Sequence, residues 1–310
     1  MELRRFLAAA DERGWLQTIT APVDPRYEIA RLLHAMDERL TRFTRVEGWP
    51  GQLVAGAFAR REYVALALGV PVERLLETLV RALDQPQAPM LLERGRCQEV
   101  VREGSDASRL PILTHLPGDG GSYVTAGVAI IKDALGRRNA AFHRLMLLPA
   151  TDGAGRFTAR LVEGRGTHTA WQQANGPLPM AVCIGAPMSV QLAAAMSPAS
   201  GVDELGIANA LVPAPLVRAI GLDLEVPAES EVVLEGYLTP ELGDEGPFLD
   251  LTRTRDPLRQ QPYFVVERVT HRRDPIYQAL LPGGREHRLL MGMPREPTIY
   301  AAVSRVCACR

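Results

Sequence analysis

Apolar positions recur every three to four residues through the N-terminal part of this chain and every second residue through much of the remainder. The first pattern predicts a helix over 2–13, a short strand at Trp15–Thr20 and a helix at Tyr27–Leu40. Strand-like Leu53–Phe58 then precedes helices at Arg61–Leu68 and Pro71–Leu83, the second opened by a proline in its first turn. Pro86-Gln87-Ala88-Pro89 is the first linker. Beyond it the pattern predicts strands around Val100 and at 123–132, 141–148 and 158–162, a helix near 169–175 and a strand at 179–184. Helices are expected at 188–196 and near 213–219, and strands at 231–237 and 262–270. Strands outnumber helices after the linker and join mostly through turns, which suits a small antiparallel barrel in an α+β chain. There are no internal repeats and no low-complexity segments.

Two segments carry candidate chemistry. Tyr123–Lys132 and Ala141–Leu148 read as a hairpin around the polar turn Asp133–Asn139, and Arg144 interrupts the apolar run Phe142, Met146, Leu148. A guanidinium on such a face must be paired or must reach solvent, and a carboxylate fits its planar fork. The second segment is Gly243-Asp244-Glu245-Gly246-Pro247-Phe248-Leu249-Asp250. Its Gly-Pro turn cannot continue a helix or a central strand, so Glu245 and Asp250 are expected on a short loop between Glu231–Tyr237 and Pro262–Thr270. Two carboxylates held close together titrate apart, which suits an acid and a base with different roles.

These segments, in this order, resemble the UbiD-type decarboxylases that use prenylated FMN. The likeness spans nearly the whole chain. It includes Val23–Ala30, Leu110–Gly121, Tyr123–Gly127, Asp223–Ala228 with Val233–Gly236, Glu245–Phe248, and His271–Tyr277. The resemblance implies an N-terminal α/β domain (1–88) and a split-barrel flavin-binding domain (89–283). Residues 284–310 would begin a C-terminal lobe that this chain lacks or holds only in part. It implies decarboxylation of an aromatic or α,β-unsaturated acid, a reaction whose charge only a cofactor can delocalise. Arg144 would orient the substrate carboxylate, Asp250 would deliver the proton that replaces CO₂, and Glu245 would fix Arg144.

The resemblance also implies Mn²⁺ (or Mg²⁺), with K⁺ nearby, at the cofactor phosphate. Asn139 and Glu204 match two ligands of the family, and hard oxygen donors suit such ions. The family's histidine ligand is missing. Glu163 falls where it belongs, either as a substitute carboxylate or as a solvated acid in the turn Glu163–Gly166, with His168 five residues on. Met196 falls where the family's backbone meets the cofactor phosphate, and also reads as a core methionine.

Leu249 and Arg253 stand where the family prefers glycine, adding bulk or charge beside the expected pocket. The apolar run Thr298–Val303 near the end of the chain has nothing after it to cover it, so it calls for a partner. Three readings follow: a decarboxylase, a half-complete subunit that docks a chain supplying the lobe, and an FMN-binding reductase. A flavin prenyltransferase would supply the cofactor, and a homo-oligomer or a complementing subunit would complete the assembly.

Composition fits a cytoplasmic enzyme. With 46% hydrophobic residues over 310 positions and a net charge of −1, the chain has ample core and no electrostatic case for nucleic acid or membrane. No apolar run approaches a membrane span. Lys132 is the only lysine, and it opens a polar turn. Cys97, Cys183, Cys307 and Cys309 are too scattered for a disulfide framework, though Cys307-x-Cys309 has the spacing of a soft-metal pair. Among the histidines, His34 reads as structural and His143 as facing away from Arg144, while His115, His271 and His287 lack metal-ligand spacing.

Overall fold

The computed structural model describes residues 1–36, 38–149 and 155–307. Cys309 of the terminal cysteine pair lies outside them. A nine-stranded antiparallel sheet forms the body of the molecule. Its path runs through Tyr123–Val124, Leu145–Leu147, Gly155–Ala159, Arg259–His271, Val232–Glu245, Leu178–Ile184, Gly127–Lys132 and Arg138–Phe142. Val100–Glu103 pairs with the far end of Arg259–His271. The two long strands, Val232–Glu245 and Arg259–His271, form a hairpin that slips register after Glu235 and again between Leu238 and Leu242. Such bulges bend a strand and let a sheet curl. The α+β class and the curled sheet are as expected.

Alternation decides which core each strand residue enters. In Leu178–Ile184, Ala181 and Cys183 face a core shared with the helices, while Met180, Val182 and Ile184 face the other side. In Gly127–Lys132, Val128 and Ile130 face the first core, Ala129 and Ile131 the second. Helices Leu3–Asp11, Arg61–Leu68, Leu75–Asp84, Met188–Ala194 and Glu204–Leu211 all contribute to that first core. The N-terminal part and the sheet thus share one hydrophobic interior. The chain also returns late to a second, four-stranded sheet, where Ile276–Gln278 pairs in parallel with Gln52–Ala55.

Three expectations need correction. The single returning strand Ala141–Leu148 is two strands, Arg138–Phe142 paired with Gly127–Lys132 and Leu145–Leu147 paired with Tyr123–Val124 and Gly155–Ala159. The helix near 213–219 is absent, and Leu216–Arg218 is a strand paired with Glu225–Pro227. The helix lies earlier, at Glu204–Leu211, where Asp203 caps it by accepting the Leu205 N–H at 2.9 Å. Its residues are buried on nearly every side, so the amphipathic signature that marks surface helices is missing. Glu245, in turn, is not on a loop: Val232–Glu245 runs as strand through Glu245 itself, paired with Arg259.

Candidate active site

Arg144 sits at the break between strands Arg138–Phe142 and Leu145–Leu147. The side chain of Glu245, at the end of its strand, is fully buried. The two meet as a fork, Nε to Oε1 at 2.8 Å and Nη2 to Oε2 at 2.9 Å. Nη2 also donates to Asp256 Oδ2 at 3.0 Å. Below the guanidinium lies the Phe248 ring, 4.7 Å from Cζ to centroid. Burial works against the Arg144 charge, but Glu245 and Asp256 outweigh it and hold it above the ordinary arginine range. Nη1 makes no hydrogen bond among the described residues, so one edge of the fork is open.

The Gly-rich segment ahead of the sheet explains how this corner closes. Gly120 donates its N–H to the Pro247 carbonyl at 2.7 Å. A Cβ on Gly120 would lie 2.1 Å from the Gly246 carbonyl oxygen, so only glycine admits the acid loop this close. In the same segment Asp119 Oδ2 accepts the Leu116 N–H at 2.9 Å. Burial pushes its carboxyl up, against the pull of the Leu116 amide, Arg255 and Arg144.

Asp250 stands away from Arg144's hydrogen bonds. It closes a tight turn, its N–H donating to Thr254 O and its carbonyl accepting from Arg253 N, each at 2.9 Å. That turn rests on Gly283, whose carbonyl accepts from Arg253 Nε at 3.1 Å. Arg253 therefore spends its guanidinium on the backbone, while Leu249 packs near Gly283. Past Gly283 begins helix Arg285–Gly292, which brings His287 within the fields of Asp250 and Arg144. Burial lowers the His287 pKa, the Asp250 charge opposes that and Arg144 adds to it. His287 Nδ1 accepts from Gly283 N at 3.1 Å.

Arg160 and Arg259 complete the corner. Arg160 donates its N–H to the Arg144 carbonyl at 3.1 Å, in register with the pair Ala159↔Leu145, so the two arginines lie opposite each other. Arg259 lies opposite Glu245 and approaches Asp256 Oδ1 at 3.8 Å.

A second cluster lies farther along the same strands. Asn139 Nδ2 donates to Glu204 Oε1 at 3.0 Å, and Ala140 N to Oε2 at 2.9 Å. The Thr167 hydroxyl donates to Asn139 Oδ1 at 2.9 Å and lies 2.9 Å from His143 Nε2. Burial pushes the Glu204 carboxyl up to about 7, helped by Asp203 and opposed by the Ala140 amide and Asn139. Glu163 is exposed in the turn ahead of helix Gly166–Gln173, whose first residue abuts Asn139. A Cβ on Gly166 would sit 3.0 Å from Asn139 Cγ. Met196 is a buried core residue after helix Met188–Ala194. No three His, Cys, Asp or Glu side chains gather at one point among the described residues. Asn139, Glu204 and Thr167 nevertheless supply hard oxygen donors of the kind that suit Mg²⁺ or Mn²⁺, with the Asn139 amide here turning Nδ2 rather than Oδ1 toward Glu204.

Family models agree with this architecture. The 3-octaprenyl-4-hydroxybenzoate carboxy-lyase N-terminal domain matches residues 7–83, and the Rift-related domain of the same carboxy-lyase matches 90–285. The chain belongs to the UbiD family. It is accordingly a carboxy-lyase. Among curated UbiD relatives, anhydromevalonate phosphate decarboxylase of Methanosarcina mazei is 36% identical, covering 99% of this chain and 71% of its own length. The enzyme of the same name from Methanothermobacter thermautotrophicus is also 36% identical, over 97% of this chain and 70% of its own. An evolved dimeric form of the UbiD-class enzyme HmfF from Pelotomaculum thermopropionicum, solved with prFMN, superposes with a TM-score of 0.93. It is 36% identical and covers 98% of this chain and 73% of its own. Vanillic acid decarboxylase of Sedimentibacter hydroxybenzoicus reaches a TM-score of 0.91 at 25% identity, over 98% of this chain and 70% of its own.

Of the residues expected from sequence, the structure brings together Arg144 with Glu245, and Asn139 with Glu204. It leaves Asp250 on the neighbouring turn and Glu163 at the surface. Asp256, Asp119, His287, Arg160 and Thr167 were not expected. Asp256 and Arg160 become legible only once strand register is known.

Proposed function

We propose that this chain decarboxylates an α,β-unsaturated or aromatic carboxylic acid with prenylated FMN as its resident cofactor. The observation that carries the reading is Arg144, held by Glu245 on two nitrogens and by Asp256 on one of them, with Nη1 left open. That open edge is a preorganised donor for a substrate carboxylate, because the fork no longer has rotational freedom to lose. Once bound, prenylated FMN supplies the electron sink for the bond that breaks. The bond to the carboxylate carbon cleaves, CO₂ leaves, and a proton from Asp250 ends on the substrate carbon. His287, on helix Arg285–Gly292, lies in the field of Asp250. The buried Phe248 ring covers one face of the Arg144 guanidinium and keeps water from that side.

Asn139 and Glu204 would hold Mn²⁺ or Mg²⁺ for the cofactor phosphate, with Thr167 or Glu163 as third oxygen and K⁺ alongside. The backbone at Met196 would border that phosphate. A flavin prenyltransferase supplies the cofactor. The names of the curated relatives support including phosphorylated acids among the substrates tried. A complementing chain or a homo-oligomer is supported by Ile299 and Val303, which stay 60% and 41% exposed on helix Glu296–Ser304.

The test is cofactor loading. The chain is co-expressed with a flavin prenyltransferase and manganese, and the bound ligand is read by absorption and mass. Near-stoichiometric prenylated FMN with CO₂ release from an unsaturated acid is expected. An empty protein, or a loaded one inert toward all acids, would defeat the reading.

A further inference from the structure

The corner around Arg144 holds three arginines, and one of them has no acid of its own among the described residues. Arg144, Arg160 and Arg259 share it with the carboxylates Glu245 and Asp256. Glu245 and Asp256 are committed to Arg144, and Asp256 also lies near Arg259. Arg160 is half-buried, and its side chain donates only to the neighbouring Leu161 carbonyl. Among the described residues no carboxylate lies within ion-pair distance of it. Leu161 N is capped by Gln261 Oε1 at 2.7 Å, which fixes the strand end from which Arg160 projects. Burial and the charges of Arg259 and Arg144 pull it below the ordinary arginine range, with Glu245 and Asp256 acting the other way from a distance.

A guanidinium crowded by two like charges, with no acid of its own, is costly to fold and is the arrangement expected where an anionic ligand supplies the missing charge. Arg160 lies directly across the strands from Arg144, whose open edge is proposed for the reacting carboxylate.

We propose that Arg160, with Arg259 beside it, binds a second anionic group on the substrate, a phosphate ester or a second carboxylate carried on the far end of the unsaturated acid. This rests on the decarboxylase reading for the identity of the first group. Arg160 acts as a specificity residue: it selects acids bearing two anions over those bearing one. A phosphate offers three oxygens to the two guanidiniums, a carboxylate two.

The experiment measures binding and turnover separately on the cofactor-loaded protein. Three probes share one unsaturated-acid head, and their tails end in a phosphate ester, a carboxylate or a free hydroxyl. Calorimetry gives dissociation constants whether or not CO₂ is released. The wild type is expected to bind at least one dianionic probe about ten- to a hundredfold more tightly than the hydroxyl probe, the scale of charge-assisted hydrogen bonds. Arg160→Gln should bring that ratio close to one, and Arg160→Lys should restore part of it. The phosphate and carboxylate arms then tell which anion the site takes. A wild-type ratio near one, or a ratio unchanged in Arg160→Gln, overturns the inference even if every probe is decarboxylated. Selective binding that depends on Arg160 without any CO₂ release would uphold it and instead count against the decarboxylase reading.

Discussion

Arg144 and Glu245 lie 101 residues apart in sequence and meet through two parallel hydrogen bonds of 2.8 and 2.9 Å. The acid is fully buried and the arginine only 12% exposed, so the pair cannot be treated as a surface ion pair. Breaking one side of such a pair leaves the other charged and stranded, at a cost of roughly 3–5 kcal/mol. Asp256 softens this for the arginine but not for the acid. Arg144→Met should therefore destabilise the fold more than Glu245→Gln, as read by urea unfolding. The double variant should recover part of the loss. Additive losses in that cycle would show that the fork contributes no coupling energy.

Asp250 and Asp256 are separable by experiment because they touch different things. Asp256 holds Arg144, so Asp256→Asn should loosen the carboxylate grip and raise KM with a smaller effect on kcat. Asp250 contributes no hydrogen bond to Arg144 and sits by His287. Asp250→Asn should instead abolish incorporation of solvent deuterium into the product while cofactor and substrate still bind. Wild-type deuterium incorporation in that variant would remove Asp250 from proton delivery and shift attention to Asp119.

The outline of this site was legible in the sequence where one residue contradicted its surroundings. An arginine in an apolar strand demands a buried partner, and the Gly-Pro acid loop offered one. Asp256 escaped notice because it follows the turn Asp250–Thr254, and only the pairing of Phe248 with Asp256 folds it back. Arg160 lies in an ordinary strand pattern, and its meaning comes from the strand opposite. The helix carrying Glu204 was missed for a related reason. Residues 204–211 are mostly apolar and buried on nearly every side, whereas 213–219 carry an arginine and two prolines at spacings that mimic a helix boundary. Local patterns report a residue's own face; they do not report what packs across from it.

The ion site yields a test that does not depend on turnover. Thr167 touches Asn139, and Glu163 is exposed one turn earlier. Metal content per chain, measured by elemental analysis after gel filtration, should fall by about tenfold or more in Glu204→Gln and in Asn139→Ala. Thr167→Val and Glu163→Gln then compete for the third position. Loss in the first with retention in the second assigns the hydroxyl, and the reverse assigns the carboxylate. Gly166→Ala should lower metal content less than Asn139→Ala, because its Cβ would only press the amide aside by a few tenths of an ångström.

His115 predicts the acid limit of the fold. Its ring is 1% exposed, packs edge-on to Phe248 at 6.1 Å, and makes no well-formed side-chain hydrogen bond among the described residues. Burial pushes its pKa down to about 3 from an ordinary 6.5, with the Leu280 carbonyl opposing. The native ring therefore stays neutral while the unfolded ring takes a proton below pH 6.5. Its contribution is complete above that pH and drains away as pH falls toward 3, by about 1.4 kcal/mol per unit. His115→Leu removes this proton uptake and keeps an apolar neighbour for Phe248. His143, pushed down to about 4 by burial, is present in both proteins and cancels in the difference. Between pH 7 and pH 5 the wild type should lose about 2 kcal/mol more than the variant, seen as a steeper fall of Tm. Parallel pH profiles would mean that the His115 ring reaches water in the native state, and Phe248 would then not be sealed from solvent on that side.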